Sequence, residues 1–189
     1  MTQKIKTITV YASSSSQIAP VYFDAAHELG TLLAQHGITC INGGGNKGLM
    51  ATLTDSVIAN GGRVTGIIPQ FMVDKAWIHP ALTETIITSG MHPRKQLMAQ
   101  KSNACIALPG GIGTLEELLE IIAWKQLGLY SQTVVILNTN NYYSDLLSLL
   151  NRAEKEQFIP EKPANLWFVA QTPQEAINII LGFPQKGNP

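Results

Sequence analysis

Strand and helix signals alternate along this entire chain, and that order restricts its fold more than any other feature. Short apolar, β-branched runs at Lys6–Tyr11, Ile38–Asn42, Arg63–Ile68, Thr83–Thr88, Ala104–Leu108, Thr133–Asn138 and Leu166–Ala170 read as strands. Helical patterns separate them at Tyr22–Gln35, Gly48–Asn60, Pro93–Ser102, from the glycines before Thr114 to about Gly128, at Tyr143–Glu156 and at Pro173–Leu181. Pro69–Leu82 reads as a loop of mixed character. A βαβα order implies an α/β fold: a Rossmann-like, doubly wound, mostly parallel sheet with helices on both faces. At 189 residues the chain fits one domain with a sizeable core. Residues 1–182 are expected to form it, with 183–189, rich in Pro, Gly and polar residues, as a flexible tail. Sheets of this kind bind ligands beyond the carboxyl ends of their strands, near the point where strand order reverses. Every glycine-rich turn in this sequence falls at such an end.

Composition narrows the partners. Apolar residues make up 45% of the chain, charged residues only 14%, and the formal net charge is zero. No basic excess exists to neutralise a nucleic-acid backbone, so nucleic acid is not expected as a partner, whereas a small anion needs only a local site. The N-terminus lacks an apolar leader-like core and no run of eighteen apolar residues occurs, so a soluble, cytoplasmic protein without membrane contact is expected. Cys40 and Cys105 lie in separate strand-like runs without metal-ligand spacing and read as reduced core residues.

The chemistry concentrates in three stretches. Pro109-Gly110-Gly111-Ile112-Gly113-Thr114-Leu115-Glu116-Glu117 joins a strand to a helix, and its backbone N–H groups suit a phosphate. Two carboxylates directly behind an anion-binding turn point to chemistry as well as binding. Glu117 has a second reading, because Thr114-x-x-Glu117 carries the spacing of a helix-capping box. Gly43-Gly44-Gly45-Asn46-Lys47-Gly48 is another strand-to-helix turn. It matches neither the dinucleotide fingerprint nor the Walker motif, and suits close approach of a ligand. Ser13–Ser16, Ser14 among them, can offer hydroxyls to the same cleft. In Met91-His92-Pro93-Arg94-Lys95, proline is expected at the first helical position, which places Arg94 and Lys95 in the first turn. Cations there oppose the helix dipole, so a nearby anion is expected: a substrate phosphate, Glu117, or both. A solvated surface pair is the plainer alternative. His92 reads as an N-cap or a packed polar residue. No Ser-His-Asp order, H-E-x-x-H motif or kinase set is present.

Taken together, Gly43-Gly44-Gly45 with Gly48-Leu49-Met50, Met91–Lys95 and Pro109–Glu117 resemble the LOG family. These are cytokinin-activating phosphoribohydrolases long described as lysine decarboxylases. The resemblance runs from Ile8 to about Ile159. It implies a nucleotide-binding homodimer that hydrolyses the N-glycosidic bond of a nucleoside 5′-monophosphate, with no metal or other cofactor. It further implies Arg94 and Glu117 as the catalytic pair and Gly111, Gly113 and Thr114 as phosphate holders. Ser14, Gly44, Gly45, Met91, Lys95, Gly110 and Glu116 are the remaining expected substrate contacts. Two positions depart from the family pattern: Asp74-Lys75-Ala76, where an acid often follows the lysine, and Ala123, where threonine is frequent. Both bear on which base is preferred. The competing reading is a non-catalytic nucleotide or molybdenum-cofactor carrier on a related fold.

Overall fold

The computed structural model describes residues 5–159 and 166–183. One parallel sheet organises them, from β1 (Thr7–Tyr11), β2 (Thr39–Asn42), β3 (Val64–Pro69), β4 (Glu84–Thr88), β5 (Ala104–Ala107), β6 (Thr133–Leu137) and β7 (Phe168–Ala170). Their order across the sheet is β4-β3-β2-β1-β5-β6-β7, and every pairing is parallel. The order reverses between β1 and β5, so the crevice for a ligand opens at their carboxyl ends. The connecting helices are α1 (Pro20–Gln35), α2 (Gly48–Ala59), α3 (Gln70–Asp74), α4 (Met91–Lys101), α5 (Ile112–Gln126), α6 (Ser144–Lys155) and α7 (Pro173–Leu181).

Alternation along the strands builds two cores. Ile8 and Val10 of β1 face α1, α2 and α7, where Leu29, Leu33, Leu53, Val57 and Ile177 are buried. Tyr11 faces the other way, with Met98 of α4 and Leu118 and Ile121 of α5. Cys40 joins the first core and Cys105 the second, both as buried free thiols. Burial pushes the Cys40 thiol up to about 12, so it stays protonated and unreactive.

Three local expectations are corrected. The segment Pro69–Leu82 is not all loop, because Gln70–Asp74 forms a helical turn. α4 starts two residues before Pro93, with Gly90 as N-cap, so Pro93 is its third residue, Arg94 and Lys95 fall at and beyond the end of the first turn, and His92 does not cap it and lies exposed instead. Proline is tolerated there because the first-turn N–H groups have no intrahelical partner. α5 starts at Ile112 with Gly111 as N-cap, which puts Thr114 inside the helix. The capping-box reading of Glu117 fails on that register. Residues 184–189, most of the expected tail, lie outside the described residues. Among the described residues, no helix is long and apolar enough to cross a membrane.

Candidate active site

Four connections meet at the carboxyl edge of the sheet: Ser13–Ser16 after β1, the glycine turn after β2, the start of α4 after β4, and the start of α5 after β5. Arg94 is their meeting point. It is 5% exposed, so the solvated-pair alternative does not hold. Its Nε donates to the Ile67 carbonyl at 3.0 Å, and its Nη1 lies 2.9 Å from Glu117 Oε1. Glycine at position 43 makes this path available: a Cβ there would stand 2.1 Å from Arg94 Nη2. Gly43 is thus kept small by an arginine, a role the sequence did not reveal.

Glu117 is 8% exposed and stands one turn and a half into α5. Although the guanidinium touches it, Oε1 receives no well-directed hydrogen bond. The pair is in contact yet leaves that oxygen with capacity for a further partner. Burial raises the Glu117 carboxyl above its ordinary value, and the Glu116 charge adds to this. The Arg94 and Lys95 charges lower it without restoring the ordinary value. An adjacent cation alone would have kept the carboxyl low; desolvation reverses the sign. A 13C NMR titration of Glu117 is therefore expected to show a midpoint above 4.5, and Arg94→Met should move it further up. An Arg94→Met midpoint at or below that of the wild type would contradict the pairing.

The other expected contacts divide. A cavity of about 240 Å3 is lined by Ser14, Gly43, Gly45, Asn46, Lys47, Met50, Ile68, Met72, Trp77 and Arg94. Ser14 and Gly45 thus reach it. Asn46, Lys47, Met50, Met72 and Trp77 were not among the expected site residues, and Trp77 was hidden in a segment without periodicity. Gly44 turns inward: it takes φ +70°, and a Cβ there would meet Ile68 and Gly66. Met91 brings its Sδ within 3.8 Å of Arg94 Nη1. Lys95 is engaged from two sides by α5, bonding Glu116 and also Glu120 at 3.0 Å. It ties α4 to α5 and does not line the cavity.

The loop before α5 lies at the same carboxyl edge of the sheet, outside the cavity lining. Cβ atoms at Gly111 and Gly113 would meet nothing within 4 Å, and no side chain caps the helix. Its first N–H groups are therefore available to an anion. Gly110 is constrained differently, since a Cβ would stand 2.2 Å from the Thr114 hydroxyl. Tyr142 and Tyr143 hold this loop from behind, donating to the carbonyls of Gly110 and Leu108, each at 2.7 Å. Ala123 lies exposed on α5, outside the cavity lining.

The family model described as "Possible lysine decarboxylase" matches residues 50–180. A cytokinin riboside 5′-monophosphate phosphoribohydrolase of Arabidopsis thaliana is 40% identical over 174 residues, 92% of this chain and 82% of that protein. The enzyme of that description from Oryza sativa subsp. japonica is also 40% identical, over 92% of this chain and 72% of its own length. Among solved structures, the molybdenum cofactor binding protein of Rippkaea orientalis superposes with a TM-score of 0.72 at 24% identity, covering 96% of this chain and 98% of its own. The molybdenum cofactor carrier protein of Chlamydomonas reinhardtii gives 0.70 at 26% identity, over 95% and 98%. The carriers share the fold at 24–26% identity, while the hydrolases reach 40% over 92% of the chain: the chain belongs to the LOG family of phosphoribohydrolases.

Proposed function

We propose that the protein hydrolyses the N-glycosidic bond of nucleoside 5′-monophosphates, releasing free base and ribose 5-phosphate. The buried Arg94–Glu117 pair at the sheet's switch point carries this reading, because a carrier gains nothing from a desolvated carboxylate beside its ligand. In this reading the 5′-phosphate binds at the start of α5, on Gly111, Gly113 and Thr114. The ribose lies against Arg94, Glu117 and Gly45, and the base enters the cavity beyond Ser14.

Cleavage begins as the bond from C1′ to the base nitrogen lengthens and positive charge develops on the ribose. Ionised Glu117 stabilises that charge and orients water toward C1′. The water oxygen bonds to C1′, its proton passes to Glu117, and the departing base takes a proton from solvent. A carboxyl raised by burial is a better proton acceptor than an ordinary one. Arg94 fixes the carboxylate in place, and Lys95, through Glu116 and Glu120, fixes α4 against α5. The phosphate, bound away from the reacting carbon, supplies positioning energy.

Cytokinin riboside 5′-monophosphates, which give the relatives their description, and AMP are the substrates to test. Free base and ribose 5-phosphate are expected from at least one. The matching nucleoside without phosphate should react at least about a hundredfold more slowly, since remote binding energy is lost. Tight phosphate-dependent binding without base release would instead favour a carrier. We further read the chain as a cytoplasmic homodimer; the exposed apolar side chains Met91, Leu119, Leu127 and Leu129 on and beside α4 and α5 support a partner surface.

A further inference from the structure

The segment from Lys75 to His79 contributes Trp77 to the cavity lining, a residue that the hydrolytic steps leave unused. It is bound to the glycine turn residue by residue. Asn46 donates its side-chain amide to the Ala76 carbonyl at 3.0 Å and its backbone N–H to the Trp77 carbonyl at 2.9 Å. Ile78 bridges Gly45, and the His79 N–H donates to the Gly44 carbonyl at 2.8 Å. Buried His79 anchors the far end, with Nε2 3.2 Å from Asp55 Oδ1 and Nδ1 accepting the Ala81 N–H at 3.2 Å. Ala76 holds φ +55°, a conformation unfavourable for alanine, which these bonds maintain.

This rigid arm presents a large aromatic ring. Trp77 is 41% exposed and lines the cavity, although an indole of that size ordinarily gains by full burial. Lys75 Nζ stands 4.9 Å from the Trp77 ring centroid and 5.9 Å from that of Phe71. Neither Lys75 nor Phe71 lines the cavity, so the cation covers the indole from outside and leaves surface open within. The neighbouring wall is apolar, formed by Met50, Ile68 and Met72. Such a wall reads the face of a flat ligand and offers little to its hydrogen-bonding edge.

We propose that Trp77 is the platform on which the nucleobase stacks, and that the Lys75–His79 arm makes it the determinant of base preference. The inference rests on the reading of the cavity as a nucleotide site. It follows that purine nucleotides, with the larger π surface, are preferred over pyrimidine ones, since stacking strength scales with that surface. The segment Asp74-Lys75-Ala76, a departure from the family pattern, forms the base of the arm.

Tryptophan fluorescence tests the proposal, with binding measured independently by calorimetry. The other two tryptophans, Trp124 and Trp167, pack partly buried against the core outside the cavity lining. AMP should quench the wild type; ribose 5-phosphate should bind without quenching. Trp77→Phe should lose the quench yet keep kcat/KM within about threefold, because a phenyl face still stacks. Trp77→Leu should raise KM for AMP about five- to hundredfold, with kcat and the inhibition constant of ribose 5-phosphate unchanged. AMP binding without quenching, together with an unchanged KM in Trp77→Leu, overturns the platform and leaves the nucleotide reading intact. Failure of AMP and UMP alike to bind or to release base overturns both.

Discussion

Replacing Glu117 by glutamine should lower kcat for base release roughly a thousandfold while the chain still folds and binds nucleotide. The substitution keeps shape and removes charge. A unit negative charge about 4 Å from a developing cation contributes on the order of 4 kcal/mol at the effective dielectric of a partly buried site. That corresponds to about three powers of ten in rate. Loss of the water-orienting base acts in the same direction. Folding is less affected. Breaking a buried ion pair typically costs about 3–5 kcal/mol, but Arg94 borders the cavity and keeps its bond to the Ile67 carbonyl. Glutamine also relieves the desolvation that opposes Glu117 ionisation. Base release measured beside nucleotide binding separates the effects. A Glu117→Gln enzyme retaining a tenth of the wild-type kcat would remove Glu117 from the chemistry.

The fold was legible because the relevant signals are local and repeated. Seven strands alternate with helices, and the five central strands carry apolar residues on both faces, as a sheet covered on both sides requires. Element ends were less legible. Helix starts at Met91 and Ile112 rest on backbone conformations of Gly90 and Gly111 that several nearby residues would equally suggest from sequence. That register mattered, because it decides whether Glu117 caps a helix or points from its body toward Arg94.

At the site, the four residues read as locally out of place, Arg94, Lys95, Glu116 and Glu117, come together. Cations at a helix start and carboxylates behind a glycine loop are each locally unfavourable, and the structure pairs them: Arg94 with Glu117, Lys95 with Glu116 and Glu120. The sequence could not separate the buried Arg94–Glu117 pair, which borders the cavity through Arg94, from the tie between helices, since adjacent residues share every pattern but face different neighbours. Nor could it show the net effect of burial on the Glu117 carboxyl, which depends on a balance between desolvation and charge. Trp77 was invisible for another reason: its position is set by hydrogen bonds to Asn46, about thirty residues earlier, and not by its own segment.

The glycine turn offers the sharpest separation between catalysis and folding. Gly43→Ala is expected to reduce kcat at least about a hundredfold while leaving the melting temperature within a few degrees of wild type. The added Cβ would stand 2.1 Å from Arg94 Nη2 and 3.0 Å from Met50 Sδ. Both atoms end flexible side chains, so the protein can accommodate the methyl group by swinging the guanidinium aside. That movement takes Arg94 away from Glu117 and leaves the carboxylate misplaced, where a displacement of about 1 Å is enough to cost two powers of ten. Gly48→Ala makes the control. There the Cβ would meet backbone atoms of Ser13, Ser14 and Ser15 at 2.5–2.7 Å, at φ +62°. Backbone cannot swing aside, so Gly48→Ala should lose several degrees of thermal stability along with its activity. Differential scanning fluorimetry beside the base-release assay reads both variants. If Gly43→Ala keeps full activity, Arg94 does not need the place in which the structure holds it, and the catalytic pairing falls. If it instead unfolds like Gly48→Ala, the turn is packing alone.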